Sequence, residues 1–223
     1  MKKGLLREAL LKYFSGVILL GALLFLPAGT LAWNNAWLMM ILLFVPMLIA
    51  GLVMYLKAPA LLQSRLDAKE TRGEQKAVIL MSGLMFLAAF ILAGLNFRYK
   101  WIIMPGWTVI TGAVVFALAY ALFGEVLREN AYLSRTIKVR EGQKVVDTGL
   151  YGVVRHPMYS ATVLLFLSMP VILGSPISLV VMLAYIPIIV RRILNEEEVL
   201  IKELEGYESY MEKVRWRLIP RLW

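Results

Sequence analysis

Four stretches of this chain run for a membrane's thickness with almost no charge, and that length constrains the fold more than any other feature. They are Phe14–Trp33, Trp37–Leu56, Val78–Phe97 and Trp101–Phe123. A bilayer's hydrocarbon core is roughly 30 Å thick and a helix rises about 1.5 Å per residue, so each stretch is long enough to cross. Lipid offers no partner to backbone N–H and C=O groups, which must pair within the segment, so these runs are read as helices. A strand-built barrel would need segments of about ten residues alternating apolar and polar, and the sequence has none. Two shorter runs, Pro157–Leu173 and Pro176–Val190, are separated only by Gly174 and Ser175. They read as a tight helical hairpin, tilted or crossing partway. A hydrophobic share of 60% and a mean hydropathy of +0.72 fit this reading and exceed what ordinary soluble domains carry.

The expected fold is therefore all-α: a polytopic transmembrane bundle of about six membrane segments. Basic residues give its orientation. Of the 24 Lys and Arg, six crossings put 22 on one side and only Arg98 and Lys100 on the other. The basic side holds Lys2, Lys3, Arg7 and Lys12; Lys57, Arg65, Lys69, Arg72 and Lys76; Arg128, Arg135, Lys138, Arg140, Lys144 and Arg155; and seven more between Arg191 and Arg221. Basic residues collect in the cytoplasm, which predicts both termini there. Trp33, Trp37, Tyr55, Tyr99, Trp101 and Trp107 fall near predicted span ends, where interfacial aromatics belong. The basic start followed by an apolar run looks like a signal peptide, but the run is too long and a second span follows at once, so a retained first helix is expected. No linker or fixed-period repeat divides the chain. One membrane domain over residues 1–223 is expected, with a four-helix part at 1–125 and a core carrying the chemistry at 126–223.

Cysteine is absent and histidine occurs once, at His156. That excludes disulfides, thiolate chemistry and a multi-histidine metal centre, so no metal is expected. The net charge of +9 is accounted for by the cytoplasmic bias rather than by nucleic acid.

Two basic-side stretches carry residues suited to chemistry. In Gln143–Tyr159, Gly149 and Gly152 permit tight backbone turns. Pro157 biases His156 to extended geometry and itself suits a first helical turn. The loop then delivers Arg155, His156 and Tyr159 to the mouth of a membrane helix, whose N-terminus would offer N–H groups to a carboxylate. In Arg191–Leu200, Arg192 and Glu196 lie four apart on one helical face where it leaves the hydrocarbon. The acid suits a cationic or polyhydroxylated cofactor and the guanidinium suits a carboxylate substrate. Singly, each has a plain explanation: Arg155 and Arg192 as snorkelling cations, Glu196–Glu198 as a solvated face, Tyr151 and Tyr159 as interface anchors.

In combination the pattern resembles the isoprenylcysteine carboxyl methyltransferase family, within the phospholipid-methyltransferase-like integral membrane enzymes. The residues that carry it are Gly149-Leu-Tyr, Val154-Arg-His-Pro-Met-Tyr159, the apolar hairpin, and Arg192-Ile-x-x-Glu196-Glu197-x-x-Leu200. Gly206-Tyr-x-x-Tyr210, Val214-Arg-Trp-Arg-Leu-Ile-Pro220 and Trp223 complete it, over roughly residues 130 to 223. Members often carry His where this chain has Gln143, and Phe-Gly where it has Leu204-Glu205.

The resemblance implies S-adenosylmethionine-dependent methyl transfer, leaving S-adenosylhomocysteine. Its pattern implies cofactor contacts at Gln143, Lys144, Val145, Val146, Tyr151, His156, Pro157, Met158, Tyr159 and Glu196, and a substrate carboxyl at Arg192. Arg192 and Glu196 are thus the expected catalytic pair. The acceptor is expected to be a prenylated cysteine or similar lipophilic molecule entering from the bilayer, with the active site on the cytoplasmic side. Related alternatives are a phospholipid or amine N-methyltransferase and a sterol-type membrane reductase, which has a similar Arg-His-Pro pattern. A non-enzymatic membrane scaffold is the alternative of a different class.

Overall fold

A computed structural model describes residues 2–66, 73–130, 132, 139 and 142–223, with the side chains of residues 2, 3 and 73–75 excepted. Among the basic residues read above, Lys69, Arg72, Arg135, Lys138 and Arg140 lie outside the described residues. The elements are α1 (Lys2–Ala28), α2 (Asn34–Lys57), α3 (Pro59–Leu66), α4 (Gly73–Tyr99) and α5 (Gly106–Glu129). A 3-10 turn at Gly149–Gly152 precedes α6 (Pro157–Ile172), α7 (Pro176–Met182), α8 (Tyr185–Glu203) and α9 (Tyr207–Lys213). Among the described residues there is no strand.

Five stretches are long and apolar enough to cross a membrane: Gly4–Ala28, Asn34–Lys57, Lys76–Tyr99, Gly106–Glu129 and Pro176–Glu203. The shorter apolar helix Pro157–Ile172 is the sixth segment. The chain is an integral membrane helical bundle. Its outward surface is apolar, with Ile18, Leu26, Ile110, Leu118 and Val180 all exposed, as lipid-facing side chains should be.

Boundaries differ from the sequence expectation where a local signal outweighs hydropathy. The first helix stops at Ala28, five residues short of Trp33. Gly29 takes the left-handed conformation (φ +70) and donates its N–H to Phe25 O at 2.9 Å, which ends a helix. Trp33 is therefore no interfacial anchor; it precedes α2, is 2% exposed, and stacks on Phe97. Trp37, Tyr99, Trp101 and Trp107 are exposed as interfacial aromatics should be. The fourth span begins at Gly106 rather than Trp101. Residues 101–105 form a loop held by buried Asn96, which donates to Ile102 O at 2.9 Å and accepts from Ile102 N at 3.1 Å. In the hairpin, Gly174 (φ +70) makes the turn and Ser175 Oγ caps α7 by accepting from Ser178 N. The last apolar run breaks between α7 and α8 because Pro187 has no N–H to give the Leu183 carbonyl.

Small residues let the helices approach closely. A Cβ on Gly94 in α4 would stand 2.7 Å from Leu24 O in α1, and one on Gly112 in α5 would stand 3.0 Å from Ile172 N in α6. Such contacts drive helix association in lipid, where apolar burial gains little. The buried core they seal runs through Leu24, Met39, Ala89, Phe116, Ile172 and Met182. Ser178 Oγ donates to Ala89 O at 2.8 Å and pins α7 to α4.

The bundle's two ends are different in kind. At one, Gly29 packs on the Arg98 guanidinium and Gly174 on the Asn35 amide. At the other, Lys12 Nζ donates to Leu66 O at 2.6 Å, and Arg65 of α3 stands 5.5 Å from the Phe123 ring centroid. This second end is the basic one, and the residues singled out from sequence meet there.

Candidate functional site

The Gly149–Tyr159 loop is fastened from three directions. From α5, the Glu129 carboxylate accepts from Leu150 N at 2.9 Å, at the start of the 3-10 turn. Gly149 has φ +56, and a Cβ there would stand 1.9 Å from a Glu129 oxygen, so only glycine fits. From α9, Tyr210 Oη donates to Tyr151 O at 2.7 Å. From the C-terminal segment, Trp216 O accepts from Arg155 N at 2.8 Å, and Arg217 O accepts from His156 N at 2.9 Å.

Beneath the loop lies a buried ionic node. Glu197, 3% exposed, accepts from Arg155 Nε at 2.7 Å, His156 Nε2 at 3.1 Å and Arg217 Nε at 2.8 Å. Arg155 Nη1 also donates to Val214 O and Arg215 O, each at 2.8 Å. Buried charges persist only when paired and hydrogen-bonded, and this node satisfies its members from three separate segments. It joins α8, the loop and the tail into one piece.

The preceding residue, Glu196, lines an open chamber. Tyr159 Oη donates to the Glu196 carboxylate and accepts from Arg192 Nε at 2.9 Å. The phenol thus stands between the cation and the anion that the sequence put on one face. The chamber is a cavity of about 100 Å³ whose mouth opens to solvent. Of the residues read from sequence, Gln143, Lys144, Val145, Val146, Tyr151, His156, Met158, Tyr159 and Glu196 line it. Pro157 does not; it is buried as the first residue of α6. Arg192 is not in the wall and reaches it through Tyr159.

Other expectations need correction. The start of α6 does not present an open row of N–H donors: His156 N is given to Arg217 O, Tyr159 N and Ser160 N to His156 O, and Pro157 has none. Arg155 is a buried brace rather than a snorkelling cation, and Tyr151 and Tyr159 are buried walls rather than interface anchors. Glu198 is exposed, but its neighbour Glu197 is not. Asn130, Leu200, Leu204, Tyr207 and Tyr210 also line the chamber, and sequence reasoning named none of them as a site residue. Leu204, Tyr207, Tyr210 and Val214 form a small separate core against which Val145 packs.

The chamber's hydroxyls are neutral donors. Burial pushes the Tyr151 phenol up to about 12, against the opposing pull of its Asn130 hydrogen bond and, last, of the Arg65 charge. Burial likewise raises Tyr207 and Tyr210 well above the ordinary tyrosine range.

Aromatic walls, one carboxylate in the lining and buried hydroxyls fit a nucleoside that carries a cationic or polar tail. S-adenosylmethionine meets that description, and Glu196, Tyr151, Met158 and Tyr159 are the residues that would hold it.

Residues 108–202 match the model of the isoprenylcysteine carboxyl methyltransferase (ICMT) family. Among curated proteins, a Delta(14)-sterol reductase of Methylotuvimicrobium alcaliphilum is 24% identical over 135 residues, 54% of this chain and 32% of its own length. Protein-S-isoprenylcysteine O-methyltransferase B of Arabidopsis thaliana is 26% identical over 139 residues, 58% of this chain and 71% of its own. The chain thus spans about a third of the reductase and most of the methyltransferase. The matched segment contains α6, the 3-10 turn, most of α5 and nearly all of α8, which together supply the loop, its Glu129 anchor, Arg192, Glu196 and Glu197. Over residues 108–202, this chain is similar to the isoprenylcysteine carboxyl methyltransferase family.

Proposed function

We propose that this chain is an integral membrane methyltransferase that uses S-adenosylmethionine to O-methylate the carboxylate of a lipophilic, isoprenylcysteine-like acceptor. The observation that carries the reading is the hydrogen-bonded chain from Arg192, behind the chamber wall, through Tyr159 to Glu196 in its lining. It sets an anion-binding guanidinium close to a chamber whose lining holds a carboxylate.

When bound, the cofactor supplies an electrophilic methyl on a sulfonium. A carboxylate nucleophile needs no base, and the neutral tyrosines of the wall offer none. What the protein contributes is alignment and exclusion of water. Arg192 orients the acceptor carboxylate, and its link to Tyr159 fixes the guanidinium's direction. Glu196 and the aromatic faces of Tyr151 and Tyr159 favour a cation in the chamber. Sulfonium and carboxylate charges cancel as the methyl moves, so a poorly solvated site favours the transfer. The basic bias at this end of the bundle supports a site on the cytoplasmic side. The polar cofactor enters from there and the acceptor from the bilayer.

A sterol-type reductase is the second reading, supported by the likeness to the bacterial reductase. A nicotinamide dinucleotide would bring a diphosphate. In the wall, Lys144 would attract that charge, but Glu196 opposes it and Arg155 is already paired with Glu197, which favours the methyltransferase.

The test uses the full chain in lipid nanodiscs. Glu196→Ala is expected to weaken S-adenosylhomocysteine binding at least 30-fold, about 2 kcal/mol. Arg192→Ala is expected to leave that affinity within a few-fold while methyl transfer to a farnesyl-cysteine acceptor falls about a hundredfold. Normal turnover by both variants, or tight binding of a nicotinamide dinucleotide in place of S-adenosylhomocysteine, would overturn the reading.

A further inference from the structure

Tyr207 opens α9 and is 4% exposed, yet its hydroxyl is buried with no hydrogen-bond partner among the described residues. The contrast with Tyr210 is sharp, because that hydroxyl, one turn on, donates to Tyr151 O at 2.7 Å. A buried phenol normally finds a partner, and leaving one unmade costs about 1–3 kcal/mol. Nor is Tyr207 loosely placed. Gly206 (φ +83) fixes the chain's entry into α9, and the Tyr207 ring packs in the small core with Leu204 and Val214. The Tyr207 side chain forms part of the chamber wall, so the chamber is where a partner for the hydroxyl can arrive.

The surroundings decide what kind of partner. Burial, then the Glu197 and Glu196 charges, keep the proton on this phenol, so it acts as a donor. The same two carboxylates disfavour an anionic ligand group at this spot.

We infer that the Tyr207 hydroxyl is a binding group for the nucleoside part of the cofactor, donating to an uncharged ribose or base acceptor rather than to the amino-acid carboxylate. The inference rests on the methyltransferase reading for the ligand's identity, and on the orphaned hydroxyl for the contact. Neither the sequence pattern nor the family match assigns this residue a role.

The experiment compares Tyr207→Phe with the unaltered full chain in nanodiscs. It measures thermal stability without ligand, and affinity for S-adenosylhomocysteine and for 5′-methylthioadenosine, which lacks the amino-acid end. Removing an unpartnered buried hydroxyl is expected to leave the ligand-free melting temperature unchanged or raise it. Both affinities are expected to fall by about the same factor, on the order of tenfold. Unchanged affinities overturn the inference, as does weakening confined to S-adenosylhomocysteine, which would place the contact on the carboxylate. A lowered ligand-free melting temperature also overturns it, since the hydroxyl would then have a protein partner. If the unaltered chain binds neither ligand, the methyltransferase reading fails first and takes this assignment with it; the Tyr207→Phe comparison distinguishes the two failures.

Discussion

The helices before Gly106 and the segments from Gly106 onward are held together by different forces. In the first region, α1, α2 and α4 meet through apolar side chains and a close backbone approach at Gly94, with few polar tethers. One of those tethers is Tyr13 Oη to Phe44 O of α2, at 3.2 Å; Tyr120 Oη of α5 reaches Leu43 O of α2 at the same distance and ties the two regions together. In the second region, buried ions and hydrogen bonds from four segments converge on Glu196, Glu197 and the loop. Apolar packing in lipid tolerates many sequences, whereas a buried ionic node tolerates few. The family match follows this division, beginning at residue 108.

Removing the node should show the largest difference. Glu197→Ala strands Arg155 among buried groups, and breaking such a pair costs about 3–5 kcal/mol. Ligand binding should be lost and the loop should become protease-sensitive, as read by limited proteolysis and a thermal melt. If the variant melts like the unaltered chain, the two regions do not differ in this way. A smaller effect is expected from Gly149→Ala, which forces a left-handed alanine against the Glu129 carboxylate. The left-handed conformation alone costs about 1–2 kcal/mol. S-adenosylhomocysteine affinity should fall about tenfold by calorimetry while the first four helices melt unchanged. Smallest should be Met85→Leu, at a buried site in α4. Volume-conserving swaps cost under about 1.5 kcal/mol, and ligand affinity should stay within twofold. A tenfold loss there would mean that the first region shapes the chamber directly.

Sequence reading found the segments because lipid imposes a length, and it found most of the chamber wall because the motif lies on two short stretches. What escaped it depended on long-range folding or on local breaks. The helix α3 has only eight residues and a mixed composition, so it leaves no hydropathy signal. The break between α7 and α8 was legible in Pro187 but masked by the apolar run around it. Glu197 lay inside the quoted motif without a role, because three successive glutamates look alike until the helix phase is counted. Ile189, Ile193 and Glu197 are spaced by four and all are buried; that spacing was the available clue. The contributions of Tyr207, Tyr210 and Arg217 depend on the tail folding back over α8, which no local pattern encodes.

The close contact at Gly112 acts as a fulcrum. From it, α5 runs about 26 Å to Glu129 at 1.5 Å per residue, and α6 runs from its far end at Ile172 to His156. The two arms end on opposite sides of the same loop. A change of about 5° in their crossing displaces the tips by about 2 Å on that lever length, enough to spoil alignment of reacting groups. Helix tilt responds to hydrocarbon thickness. Turnover should therefore vary with acyl-chain length in reconstituted bilayers, and a bulkier residue at Gly112 should shift the thickness at which it peaks.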